Sequence, residues 1–181
     1  ILERINNNTI TDILNKIEVK AGDVVMVKAG TIHAIGAGVF ICEIQQNSNC
    51  TYRMYDYDRR DKFGNPRELH VKKALDVVDN HKYIKDNKTE VVIARNEHFT
   101  EERLVQCKYF EVYKYDVNDE AKITVDEASF VSVLFINGSG TIETDDYEKT
   151  MEFKAGDSFF VSAGLRSIII KGQATMVVTR V

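Results

Sequence analysis

The sequence predicts a mainly β protein with a few short helices, and three observations predict it. From Val105 onward, short runs rich in β-branched and aromatic residues follow one another between turns, with no helical spacing among them. The phrase Lys-Ala-Gly-Asp occurs twice, at residues 20–23 and 154–157, each time followed by an apolar run and a second Ala-Gly. The apolar runs themselves, such as Val24 to Val27, are of strand length.

Taken in order, residues 9–17 place Ile10, Ile13, Leu14 and Ile17 at helical spacing, with Thr9 as the expected N-cap and Asp12 in the first turn. The runs VVMVKAG, VFICEI and CTYRMYDYD read as three strands. The single proline, Pro66, marks a turn in KFGNPRE. RELHVKKALDVVD reads as a helix with Leu69, Val71, Ala74, Leu75 and Val78 inward. Residues 79–104 are polar and read as a connection, with a brief strand at Val91 to Ala94. KYFEVYKYDV alternates as a strand, SFVSVLFING and TIETDD are two strands around a Gly-Ser-Gly turn, and YEKTMEFKAGD, SFFVSAG, RSIII and TMVVTRV complete a sandwich or barrel. The expected division is therefore 1–78, a connection at 79–104, and a second lobe at 105–181. The chain opens on Ile1 in what reads as mid-structure, so an upstream segment is expected.

The repeat singles out one residue. Aligned on Lys-Ala-Gly-Asp, the two copies keep both glycine turns and the apolar run between them, as two copies of one β-fold would. His33 in the first copy falls opposite Ser167 in the second. A copy that keeps the turns and loses the imidazole is structural; the histidine then serves chemistry rather than the fold.

Composition narrows the partners. Charged residues make up 29% of the chain and the net charge is −4, with no dense Lys/Arg block, which disfavours nucleic acid and anionic membrane. No apolar stretch approaches the length of a membrane span. Three scattered cysteines without zinc-knuckle spacing suggest a reducing, cytoplasmic setting and buried thiols. His70, His81 and His98 fall in polar surroundings and read as solvent-exposed.

The pattern around Gly22, Asp23, Gly30 and His33 is similar to the second motif of cupins, jelly-roll β-barrels in which such a histidine often binds metal. The continuation over residues 29–78, with HAIGAG, EIQQ, TYR-YDYDR and RELH in order, resembles type I phosphomannose isomerase of the short bacterial kind. That resemblance implies two cupin lobes, the first incomplete in this chain and the second without metal. It implies a zinc-dependent interconversion of mannose 6-phosphate and fructose 6-phosphate. It makes His33 a zinc ligand, with the remaining ligands (a Gln-x-His pair and a glutamate) upstream of Ile1. It makes Glu43 and Arg53 catalytic and Arg59 a substrate contact.

The residue types suit those roles. An aldose–ketose isomerase moves a proton between adjacent carbons and stabilises an enediolate. A metal ligated by neutral imidazole polarises the oxygen. A carboxylate such as Glu43, on an inward strand face beside Ile41 and Gln45, can move the proton. An arginine such as Arg53 stays charged and offers planar donors to the developing anion. Gln45 can orient sugar hydroxyls. The plainer readings are an outward carboxylate for Glu43, an ion pair with Asp56, Asp58 or Asp61 for Arg53, and a solvated charged face for Arg59 and Arg60. A non-catalytic sugar-phosphate-binding cupin, or another metal-dependent cupin enzyme, are the alternative functions.

Overall fold

The computed structural model of the chain describes residues 1–48, 50–81, 91–145 and 147–181. The chain divides into two compact units, Ile1–Lys85 and Asp86–Val181.

The second unit is an antiparallel sheet of eight strands: β1 Val91–Arg95, β2 Phe99–Gln106, β3 Glu111–Val117, β4 Glu120–Val125, β5 Val131–Thr144, β6 Tyr147–Lys154, β7 Ser158–Val161 and β8 Arg166–Arg180. Two long strands organise it. β5 and β8 pair along their whole length, from Val131 opposite Arg180 to Thr144 opposite Ile168. At one end they are flanked by β7 and β3; at the other by β6 and β4. β2 and β1 extend the sheet beyond β3. β1 and most of β2 lie in residues read from sequence as connection, where one brief strand was expected at Val91 to Ala94.

Gly-Ser-Gly at 138–140 is not a turn, contrary to the sequence reading. β5 runs straight through it with a register shift between Phe135 and Asn137. A Cβ added at Gly138 would lie 1.9 Å from the Gln173 carbonyl oxygen, one at Gly140 2.0 Å from that of Lys171, and one at Gly172 2.5 Å from that of Ser139. The two backbones approach so closely that only glycine fits. The register shift also re-aims the strand: Val131, Val133 and Phe135 face the core before it, Ile142 after it.

That core holds Ile123, Val133, Phe135, Ile142, Ile168, Ile170, Met176 and Val178, all essentially inaccessible. Phe135 and Phe153 stack with ring centroids 3.7 Å apart, and Phe159 meets Phe135 edge-on at 5.9 Å. Tyr115 is buried in the same cluster and its hydroxyl donates to Glu101, so burial and that bond hold its phenol well above the usual range.

At the edge of this unit His98 Nδ1 lies 2.9 Å from Asp119 Oδ1, which raises the histidine's pKa and lowers that of the aspartate. The histidine's contribution is present below about pH 6.5 and is lost as pH rises through its raised folded value; the aspartate's is present above about pH 3.9 and is lost as pH falls through its lowered one. The pair is thus at full strength between roughly pH 4 and 6.5. His98→Gln is expected to reduce the loss of Tm between pH 5 and pH 8. Identical pH dependence of the two proteins would contradict this.

The described residues of the first unit form two short helices, α1 Leu2–Asn6 and α2 Val71–Val77, and a 3-10 turn at Ile10–Ile13. The helix expected over residues 9–17 is therefore only that turn, and Thr9 makes no side-chain cap. In α2 only Ala74 is buried; Leu69 is exposed. The three strands read at VVMVKAG, VFICEI and CTYRMYDYD are not formed: the one bridge among the described residues of this unit joins Arg60 and Pro66. A strand exists only against a partner that takes its N–H and C=O groups. Among the described residues no strand pairs with these segments, and VFICEI stands open, with Phe40 92% and Ile41 43% exposed. Cys42 and Cys50 are likewise exposed rather than buried.

Candidate active site

The repeated glycine corners are built alike. In each Lys-Ala-Gly-Asp turn the aspartate side chain accepts the lysine backbone N–H, at 3.2 Å for Lys20 and Asp23 and 2.9 Å for Lys154 and Asp157. The aspartate N–H returns to the lysine carbonyl at 3.1 Å in both. Gly22 and Gly156 take φ of +92° and +93°, and the second-turn glycines, Gly30 and Gly164, take +83° and +79°. Only a residue without Cβ adopts such angles cheaply, which is why the phrase recurs intact.

His33 follows the second corner of the first copy. The corner is seated on the end of α2: the Asp79 N–H donates to the Gly30 carbonyl at 2.9 Å, and a Cβ at Gly30 would come within 2.7 Å of the Val77 carbonyl oxygen. The His33 side chain is exposed, with Nδ1 2.9 Å from the Thr31 carbonyl oxygen. A carbonyl only accepts, so Nδ1 carries the proton and Nε2 keeps its lone pair. Such a tautomer leaves Nε2 able to accept a proton or a metal. Ser167, its counterpart, is buried and donates its hydroxyl to Asp145. The two copies thus diverge at this position: a buried hydrogen bond in one, an exposed imidazole in the other.

Arg53 is half-buried and held on two sides. Its Nη1 donates to the Glu68 carbonyl at 3.2 Å, and its backbone pairs with His70, whose N–H donates to the Arg53 carbonyl at 2.7 Å. His70 is accordingly half-buried, not solvent-exposed as its sequence context suggests. Arg53 Nε lies 3.9 Å from Asp56 Oδ1. The same oxygen accepts Arg59 Nη2 at 2.8 Å and is 3.5 Å from Arg67 Nη1. Asp56 is only 6% exposed. Three guanidinium groups therefore surround one buried carboxylate, a surplus of two positive charges on the protein's side of any anionic ligand.

The structure thus brings Arg53 and Arg59 together. Glu43 and Gln45 are exposed. Among the described residues no hydrogen bond or ion pair joins His33, Glu43 or Gln45 to the arginines. Among those residues, too, no three His, Cys, Asp or Glu side chains cluster as a metal site. Asp56 was named from the sequence only as one of three possible ion-pair partners of Arg53, and Arg67 was not singled out. The mixed-charge run DYDRRDK reads as a solvated face, and the spacing of Arg67 carries no signal.

The fold and these corners define the class: the second unit is a cupin domain. Residues 100–181 match the family described as "Mannose-6-phosphate isomerase, cupin domain". The chain is 41% identical to the putative mannose-6-phosphate isomerase YvyI of Bacillus subtilis, over 98% of this chain and 54% of that protein. It is 34% identical to mannose-6-phosphate isomerase ManA of the same organism, over 93% of this chain and 52% of that one. The crystal structure of the mannose 6-phosphate isomerase from Bacillus subtilis superposes with a TM-score of 0.65 at 38% identity, covering 75% of this chain and 42% of that one. The chain belongs to the mannose-6-phosphate isomerase family of cupins, and it spans about half the length of the curated relatives it matches. No helix among the described residues is long and apolar enough to cross a membrane.

Proposed function

We propose that the chain contributes to a cytoplasmic, zinc-dependent aldose–ketose isomerase that interconverts mannose 6-phosphate and fructose 6-phosphate. The observation that carries this reading is the arginine cluster: Arg53 and Arg59 share one buried aspartate beside open solvent, within a chain of this family. In this reading the first unit, Ile1–Lys85, belongs to the catalytic lobe, and the second, Asp86–Val181, is the lobe that holds no metal.

His33 fits a zinc site through its free Nε2, and one imidazole does not suffice, because such sites use three or more protein ligands. The 181-residue chain alone is therefore expected to bind zinc weakly and not to turn over. Zinc, when bound, supplies a Lewis acid that polarises the substrate carbonyl. Arg53 offers its planar donors to the negative charge that develops as the proton leaves carbon. Glu43 holds or moves that proton at its carboxylate. Arg59 meets the anionic substrate, and Gln45 orients its hydroxyls. Neither nucleic acid nor membrane has a role.

The test is a coupled isomerase assay of the complete gene product with mannose 6-phosphate, with and without a chelator. Turnover abolished by chelation and restored by zinc is expected. Binding of the sugar phosphate without turnover would favour a non-catalytic binding cupin instead.

A further inference from the structure

We infer that Asp56 is a positioning residue: its buried carboxylate holds Arg59, and through the same oxygen Arg53, in the orientation that receives the anionic sugar phosphate. The inference rests on the isomerase reading of this site.

Three features of the structure point to it. First, a carboxylate withdrawn from water is costly unless cations compensate it. Asp56 Oδ1 has three guanidinium groups within 4 Å, and its Oδ2 is buried without a hydrogen-bond partner among the described residues. Second, two of the three cationic partners are not themselves buried: the side chains of Arg59 and Arg67 are 62% and 52% exposed, against 23% for Arg53, so their remaining N–H donors face outward. The anion is inside and the donors are outside, the arrangement of a held fork rather than of a surface ion pair.

Third, the backbone is bent to achieve it. Tyr57 and Asp58 both adopt left-handed φ, +55° and +50°. Two adjacent non-glycine residues in this region cost about 1–2 kcal/mol each and persist only where surrounding contacts hold them. Here the turn closes with the Arg59 N–H on the Asp56 carbonyl at 3.0 Å. It folds the arginine back, so that Nε reaches the same carbonyl at 3.3 Å and Nη2 the carboxylate at 2.8 Å. The Arg59 guanidinium also lies 5.7 Å from the Tyr57 ring centroid.

Positioning and simple charge attraction predict opposite signs. Asp56→Asn preserves shape and makes the cluster more positive by one charge. Attraction alone would then tighten binding of an anionic sugar phosphate. Positioning predicts the reverse, a Kd for mannose 6-phosphate raised about tenfold, because the fork is no longer held. Arg59→Lys keeps the charge on an exposed side chain and removes the planar fork; it is expected to weaken binding similarly.

The experiment is calorimetric titration of the complete gene product and these two variants with mannose 6-phosphate, with Tm and isomerase rate recorded for each. Weakened binding in both, at a Tm within a few degrees of the unsubstituted protein, supports the role. If Asp56→Asn does not fold, Arg59→Lys alone carries the test. A Kd unchanged or lowered in either variant overturns it. Failure of the isomerase reading shows separately, as binding without turnover in the unsubstituted protein; no binding there would overturn both.

Discussion

His33→Ala in the complete gene product is expected to remove bound zinc and turnover together. The histidine stands on a corner fixed by Gly30 and by the Asp79 N–H, and its Nδ1 is committed to the Thr31 carbonyl. In the proposed reading its Nε2 is the atom that binds the metal. Removing an outer-shell partner of a metal ligand already costs about 10–100-fold in metal affinity or activity. Loss of the ligand itself is expected to cost more. Metal content by mass spectrometry and the coupled isomerase rate check this on the same sample. Ser167→Ala is the matched control in the other copy: it removes a buried hydrogen bond to Asp145 and is expected to lower stability by about 1 kcal/mol, leaving metal content unchanged. Full turnover without His33 would contradict the metal assignment.

The second large effect is on the fold. Gly138→Val is expected to destabilise the second unit by about 3 kcal/mol or more, because the new side chain meets backbone and not a movable side chain. The Gln173 carbonyl lies 1.9 Å from where the Cβ would be, and β5 and β8 are tied together on both sides of that point. For a unit of this size that is a fall in Tm of roughly 12 °C or more. Gly156→Ala is the comparison: it shares a positive φ, +93°, but its Cβ would meet nothing within 4 Å. It is expected to cost only the conformational strain, about 1 kcal/mol. Equal Tm changes for the two variants would show that the β5–β8 approach is not the constraint.

The contrast between these glycines shows what the sequence discloses. Lys-Ala-Gly-Asp is legible because turn, cap and glycine are adjacent in the chain, and both copies form the same bonds. Gly-Ser-Gly at 138–140 reads as a turn because its true reason, Gly172 and its neighbours on β8, is remote in sequence. In the second unit β1, β3, β6 and β7 were legible from residue pattern as strands and β5 and β8 each as two runs, whereas most of β2 was read as connection and β4 was not read, because their pairing to β3 and β8 is what makes them strands. Those of the first unit were read from the same kind of pattern and are absent, because β-propensity reports a surface that fits a sheet and not the presence of one. At the site, His33 stood out through the repeat, and Arg53 and Arg59 through resemblance. Asp56 did not, because a carboxylate in DYDRRDK looks solvated until folding encloses it between Arg53, Arg59 and Arg67.

In the proposed isomerase this chain's arginine cluster acts on charge that develops during isomerisation. Arg53→Ala in the complete gene product tests it most directly, with kcat, KM and zinc content measured together. An interaction made mainly in the transition state, when lost, lowers kcat and kcat/KM alike. A kcat reduced about 100-fold or more is expected, with zinc retained and KM little changed. Normal turnover with Arg53 removed would contradict it, and would return that arginine to an ion pair with Asp56.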